Sequence, residues 1–160
     1  DALFVAPTFD RLCVASKGLD PATGDRLTAL TPGAGVLSGP NLAVEVARGV
    51  PTVALAAFPD AGFAGRVADL FSGPTFRVSA STDVAGVELA GALKNVLAVG
   101  AGISDGLGFG DNTKGAFLSR GLMEIARLGQ AFGAVPETFL GPAGAGDLFA
   151  TAASGLSRNH

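Results

Sequence analysis

Three short runs, Arg11 to Ser16, Thr52 to Ala57 and Phe76 to Ala80, are apolar without alternating, the pattern of strands covered on both faces. Between them, Leu42 to Arg48 and Ala61 to Phe71 carry apolar residues at helical spacing, the second with Phe63, Val67, Leu70 and Phe71 on one face. Strand and helix in that order predict right-handed crossovers and a parallel sheet. After Ser81 the pattern changes and no further strand is read. Asp83 suits the N-cap of a helix from Val84 to about Ser104, and Asp111 or Asn112 that of a helix reaching Phe132. Pro136 suits a helical first turn, and Ala145 to Ala153 reads as a shorter helix. The expected fold class is therefore α/β followed by all-α, divided into residues 1–81 and 82–160.

Composition narrows the function. Hydrophobic residues make up 48% of the 160 residues and charged ones 16%, which argues against disorder. A net charge of -3 with eleven Lys+Arg argues against nucleic acid as a partner. The longest apolar stretches are interrupted, as by Lys94 and Asp105, too early for the roughly 20 residues a membrane span needs. With no basic leader before Asp1 and a polar cluster just before His160, the chain reads as a soluble internal fragment. The lone Cys13 sits in an apolar run and reads as a small buried hydrophobe, in keeping with a reducing cytoplasm.

The helix from Val84 is the most informative segment. Val84, Val87, Leu89, Leu93, Val96, Leu97, Val99 and Ile103 cover nearly its whole circumference, which predicts burial on most sides, and Lys94 stands in the middle. An ammonium there must find a partner, snorkel outward, or give up its proton easily enough to act as a general base. In Gly144-Ala145-Gly146-Asp147-Leu148, Asp147 is either an N-cap or part of a site that the backbone approaches closely. Ser157, Arg158 and Asn159 are adjacent donors suited to phosphate or carboxylate oxygens, or else a solvated loop. Ser16-Lys17-Gly18 follows a strand at the edge where doubly wound sheets bind ligands, and Ser38-Gly39-Pro40-Asn41 precedes a helix; both could equally be turns. Gly33-Ala34-Gly35-Val36-Leu37-Ser38 only approaches a dinucleotide fingerprint, and no metal ligands are assigned.

Taken together, Leu93-Lys94-Asn95-Val96, Ala101 to Asn112, Gly144 to Leu148 and Leu156-Ser157-Arg158-Asn159 resemble the bacterial NAD(P)-dependent sn-glycerol-3-phosphate dehydrogenase family, with Ser16-Lys17-Gly18 and Ser38-Gly39-Pro40 in the family's order. The resemblance implies the back half of a Rossmann-like parallel sheet, then part of a 6-phosphogluconate-dehydrogenase-like helical domain. It implies NAD or NADP as cofactor and interconversion of glycerol 3-phosphate with dihydroxyacetone phosphate, feeding phospholipid synthesis. Lys94 is similar to the family's proton acceptor, aided by Asp147. Lys17, Gly39, Asn41, Asp147, Ser157, Arg158 and Asn159 match its substrate contacts, and Lys17, Ala43 and Arg158 its cofactor contacts. Asn41 departs from the usual Ser or Thr, Ala145 from leucine and His160 from arginine.

Two other readings stand beside this one. A related hydroxyacid dehydrogenase would carry asparagine four residues after its lysine, where this chain has Ala98, while Asn95 points elsewhere around the helix. A non-catalytic helical domain would instead pack against a second copy as a homodimer.

Overall fold

The computed structural model describes residues 11–153. A four-stranded sheet holds β1 (Cys13–Val14), β2 (Gly35–Ser38), β3 (Thr52–Ala57) and β4 (Phe76–Ser81) side by side in that order. Between them lie a 3-10 turn (Leu27–Leu30), α1 (Ala43–Ala47) and α2 (Ala61–Phe71). The rest is helical: α3 (Val84–Gly106), α4 (Gly110–Ala131), α5 (Pro136–Leu140), a wide π-type turn (Pro142–Gly146) and α6 (Asp147–Ala153). An α/β part is thus followed by helices, as its pattern predicts.

The sheet departs from expectation in two ways. It is mixed, because β2 and β3 pair antiparallel while β1 with β2 and β3 with β4 pair parallel. The connection from β2 to β3 contains only the five-residue α1, too short to carry the chain back along the sheet for a parallel return. The second departure is β2 itself, whose Gly35 and Ser38 disguise a strand as a glycine-rich turn. β1 is shorter than Arg11 to Ser16: among the described residues it pairs at Cys13 with Gly35 and at Val14 with Val36.

Two apolar clusters hold the fold. Ala54, Ala56, Phe58, Ala64, Val67, Ala68 and Val78 join α2 to the sheet, with Cys13 and Phe63 packed alongside. The core face of α2 is thus Ala64, Val67 and Ala68, and Leu70 and Phe71 are exposed rather than buried with Phe63 and Val67. Burial raises the Cys13 thiol pKa, although the residue is half-buried against this cluster rather than inside it as expected. The larger cluster runs from Val36 and Ala57 of the sheet through Val87, Leu89, Leu97 and Ala101 of α3 to Phe139 and Leu148.

α3 is the axis of this core. Asp83 caps it as predicted, accepting from Gly86 N at 2.8 Å, while its other oxygen accepts from Val135 N at 3.0 Å and Thr138 Oγ1 at 2.6 Å, tying the start of α5 to the start of α3. The helix is long and apolar enough to cross a membrane, yet 56% of its most apolar window is buried within the protein. Burial is not all round, however: Val96, Val99 and Ile103 are exposed, because the sheet, α4 and α6 cover only the faces bearing Lys94, Leu97, Ala98 and Ala101. α4 starts at Gly110 behind Phe109, without a side-chain cap, so neither Asp111 nor Asn112 is its N-cap; Asp111 instead lies in the first turn, where its charge suits the helix dipole.

Candidate functional site

The site forms where the carboxyl ends of β1 and β2 meet α3. Because these strands are parallel, the chain leaving each reaches the same sheet edge, which brings Lys17 and the Gly39–Asn41 loop together. α3 lies hard against that edge at Gly91, where a Cβ would stand 2.6 Å from Ser38 Oγ. A side chain there would displace the Ser38 hydroxyl, and Lys94 follows Gly91 within the next turn. Gly39 is equally constrained, since its Cβ would come within 2.8 Å of the Ala54 Cα and the Val53 carbonyl oxygen.

Asp147 arrives from the other side. At Gly144 a Cβ would lie 2.0 Å from the carbonyl oxygen of Phe139, so glycine allows the wide turn to fold directly onto α5. That turn runs into α6, and the Asp147 amide already donates to the carbonyls of Gly144 and Pro142. Asp147 therefore lies within the helix instead of capping it, and its carboxylate serves the cluster. Pro40 packs beside Gly146, closing the gap between the β2 loop and the turn.

At the centre, one carboxylate faces two amines. Asp147 Oδ1 accepts from Lys94 Nζ at 3.1 Å and Oδ2 from Lys17 Nζ at 2.7 Å. Lys94 and Asp147 are 5% and 3% exposed, so the snorkelling alternative for Lys94 is ruled out, whereas Lys17 is partly open to solvent. Lys17 also donates to the Gly39 carbonyl oxygen at 3.1 Å and Asn41 Oδ1 at 3.4 Å. Lys94 also donates to Thr151 Oγ1, whose own hydroxyl donates to the Asp147 carbonyl oxygen at 2.7 Å. Thr151 is the member that sequence reasoning missed. Its only signal is position, one helical turn after Asp147 and hence on the same face.

Electrostatics favours an easily deprotonated Lys94. Loss of hydration lowers its pKa most, Asp147 opposes that, and the positive charge of Lys17 lowers it further. The arrangement can take up or release a proton at one buried amine while keeping a second cation at the rim for an anion.

Of the residues singled out in the sequence, Lys17, Gly39, Asn41, Lys94 and Asp147 thus converge. Ala43 opens α1, next to the Gly39–Asn41 loop. Ser157, Arg158 and Asn159 lie outside the described residues. Two surface hollows, of about 290 Å³ beside Arg11, Phe58 and Asp60 and about 380 Å³ beside Arg26, Thr82 and Asp83, lie apart from the Lys94 cluster.

Residues 83–160 match the family model described as the NAD-dependent glycerol-3-phosphate dehydrogenase C-terminus. The chain is 49% identical over 156 residues to the glycerol-3-phosphate dehydrogenase [NAD(P)+] of Alkalilimnicola ehrlichii, with 93% of this chain and 47% of that protein covered. Its fold is similar to the crystal structure of the Coxiella burnetii glycerol-3-phosphate dehydrogenase, with TM-score 0.87 and 39% identity over 93% of this chain and 47% of that one. The Saccharomyces cerevisiae enzyme gives TM-score 0.82 and 35% identity at the same coverage. The chain spans about half the length of the curated relatives it matches. Sequence match and shared fold thus agree over nearly all of its length that this chain is similar to a part of the glycerol-3-phosphate dehydrogenases, its residues 83–160 matching their C-terminal domain.

Proposed function

We propose that the protein interconverts sn-glycerol 3-phosphate and dihydroxyacetone phosphate with NAD or NADP, in service of glycerophospholipid synthesis. The single observation carrying this reading is the buried Lys94 amine, bonded to Asp147 and Thr151 and flanked by Lys17. Oxidising a secondary alcohol requires a base for the hydroxyl proton while hydride leaves the same carbon. Lys94, neutral, accepts that proton at Nζ; as ammonium it returns it to the ketone oxygen. Asp147 and Thr151 orient the amine. Lys17, Gly39 and Asn41 line the substrate's position, and Ser157, Arg158 and Asn159 clamp its phosphate.

The donor set fits a nicotinamide partner, because its amines, carboxylate and hydroxyl can move protons and no amino-acid side chain accepts hydride. Lys17, Ala43 and Arg158 would hold the cofactor, which supplies the hydride chemistry when bound. We assign residues 1–81 to the cofactor-binding part and 82–160 to the substrate part, a division supported by the change to helices after Ser81. A reducing cytoplasm suits the single free thiol of Cys13.

The test is an assay of the complete protein that follows nicotinamide absorbance with glycerol 3-phosphate or with unphosphorylated glycerol. Turnover with the former alone is expected, and turnover with neither overturns the reading. A pH profile adds a mechanistic arm. Alcohol oxidation should rise with pH along a limb below the ordinary lysine range as Lys94 loses its proton. In Lys17→Met that limb moves to higher pH, because a like charge is removed and Asp147 is left to Lys94 alone. A limb that stays put would mean that another group titrates.

A further inference from the structure

We infer that Glu88 is a positioning residue that holds Lys17 over Asp147, an inference resting on the reading of Lys17 as a substrate contact. Glu88 lies on α3 before Lys94, is 3% exposed, and faces the segment following Lys17. Its carboxylate accepts from Thr28 N at 3.0 Å, from Arg26 Nη1 at 3.3 Å and from Thr28 Oγ1. Arg26 Nη1 also reaches Thr28 Oγ1 at 3.1 Å, closing a small network. A buried carboxylate is costly unless so compensated, and an apolar residue would join α3 to its neighbours at less cost. The network must therefore do something that packing would not.

What it fastens is a self-supporting loop. Leu19 and Arg26 pair in an antiparallel bridge, and Asp20 N donates to the Asp25 carbonyl oxygen at 2.8 Å. Within the loop, the Asp20 carboxylate accepts from Ala22 N and Thr23 N, each at 2.9 Å. Those two bonds hold the Asp20 carboxyl pKa below its ordinary value. Anchoring one leg at Arg26 and Thr28 thereby sets the other leg at Leu19, two residues beyond Lys17. Through this loop α3 controls both partners of Asp147: Lys94 directly and Lys17 by way of Glu88.

The test is a double-mutant cycle in the complete protein with glycerol 3-phosphate as the varied substrate. Glu88→Leu is expected to raise KM about tenfold, the scale of losing charge-assisted hydrogen bonds, with kcat little changed. Glu88→Gln, which can still accept from Thr28 N, should recover much of that loss. If Glu88 acts through Lys17, adding Glu88→Leu to Lys17→Met raises KM no further, and amide exchange quickens across residues 17–28 in the Glu88 variant. Effects that multiply in the double variant, or an unchanged KM with lowered stability alone, overturn the inference while leaving the role of Lys17 intact. An unchanged KM in Lys17→Met overturns both. If Glu88→Leu fails to fold, Glu88→Gln carries the same cycle, read by the same criterion with a smaller factor.

Discussion

Lys94→Met is expected to lower kcat in the complete protein by about 10²- to 10⁴-fold, the range attributed to a positioned acid or base, while the protein remains folded. The local geometry makes this substitution a clean probe. Methionine is close to lysine in length and apolar, so it fills the same space among the covered faces of α3. One acceptor, Asp147 Oδ1, loses its donor, but Oδ2 keeps Lys17 at 2.7 Å and the Thr151 hydroxyl keeps its bond to the Asp147 carbonyl oxygen. Removing a buried ammonium also removes its desolvation cost. Stability should therefore change little when measured by denaturant unfolding, the relieved desolvation offsetting the freed Oδ1 while Lys17 still compensates the carboxylate. The pH dependence supplies the sign: folding depresses the Lys94 pKa, so between that lowered value and the ordinary one the unfolded chain binds more protons and stability climbs with pH. Lys94→Met should flatten that climb. Wild-type turnover in the variant would remove Lys94 from the chemistry.

Asp147→Ala should produce the opposite pattern, with a large loss of stability accompanying the loss of activity. Here the group removed is the one acceptor shared by two cations, one of them buried. Breaking a buried pair from one side costs about 3–5 kcal/mol, since the remaining charge is left without compensation. The cost should shrink on the alkaline side, where Lys94 can shed its proton, and in the double variant Lys94→Met/Asp147→Ala. Denaturant midpoints of the two single variants and the double variant give the coupling directly. A double variant no more stable than Asp147→Ala would show that the lysine's charge is not what makes the carboxylate necessary.

These opposed outcomes mirror what could be read from the residues in order. Lys94 stands out in the sequence as a charge among apolar neighbours, so its three options were visible, but choosing among them required knowing what faces it. Asp147 was ambiguous for a similar reason: beside two glycines at a helix start, an N-cap and a site residue look alike. Only the wide turn across Phe139, which already engages the Asp147 amide, frees the carboxylate for the two lysines. Thr151 carried only a positional signal, one helical turn after Asp147. β2 was hidden because its small residues, needed for close approach of Phe58 and α3, are also those of turns.

Local patterning, acting through periodicity and capping, was enough to set the class of the chain, the extents of β3 and α2, and the cap at Asp83. Those features depend on residues a few positions apart, whose spacing is the physics that forms them. Which strand runs antiparallel, which face of α3 stays open, and which carboxylate meets which amine depend on contacts between residues as distant as Lys17 and Asp147. They are decided by how the elements pack, because burial and charge pairing act through space and have no period in the sequence.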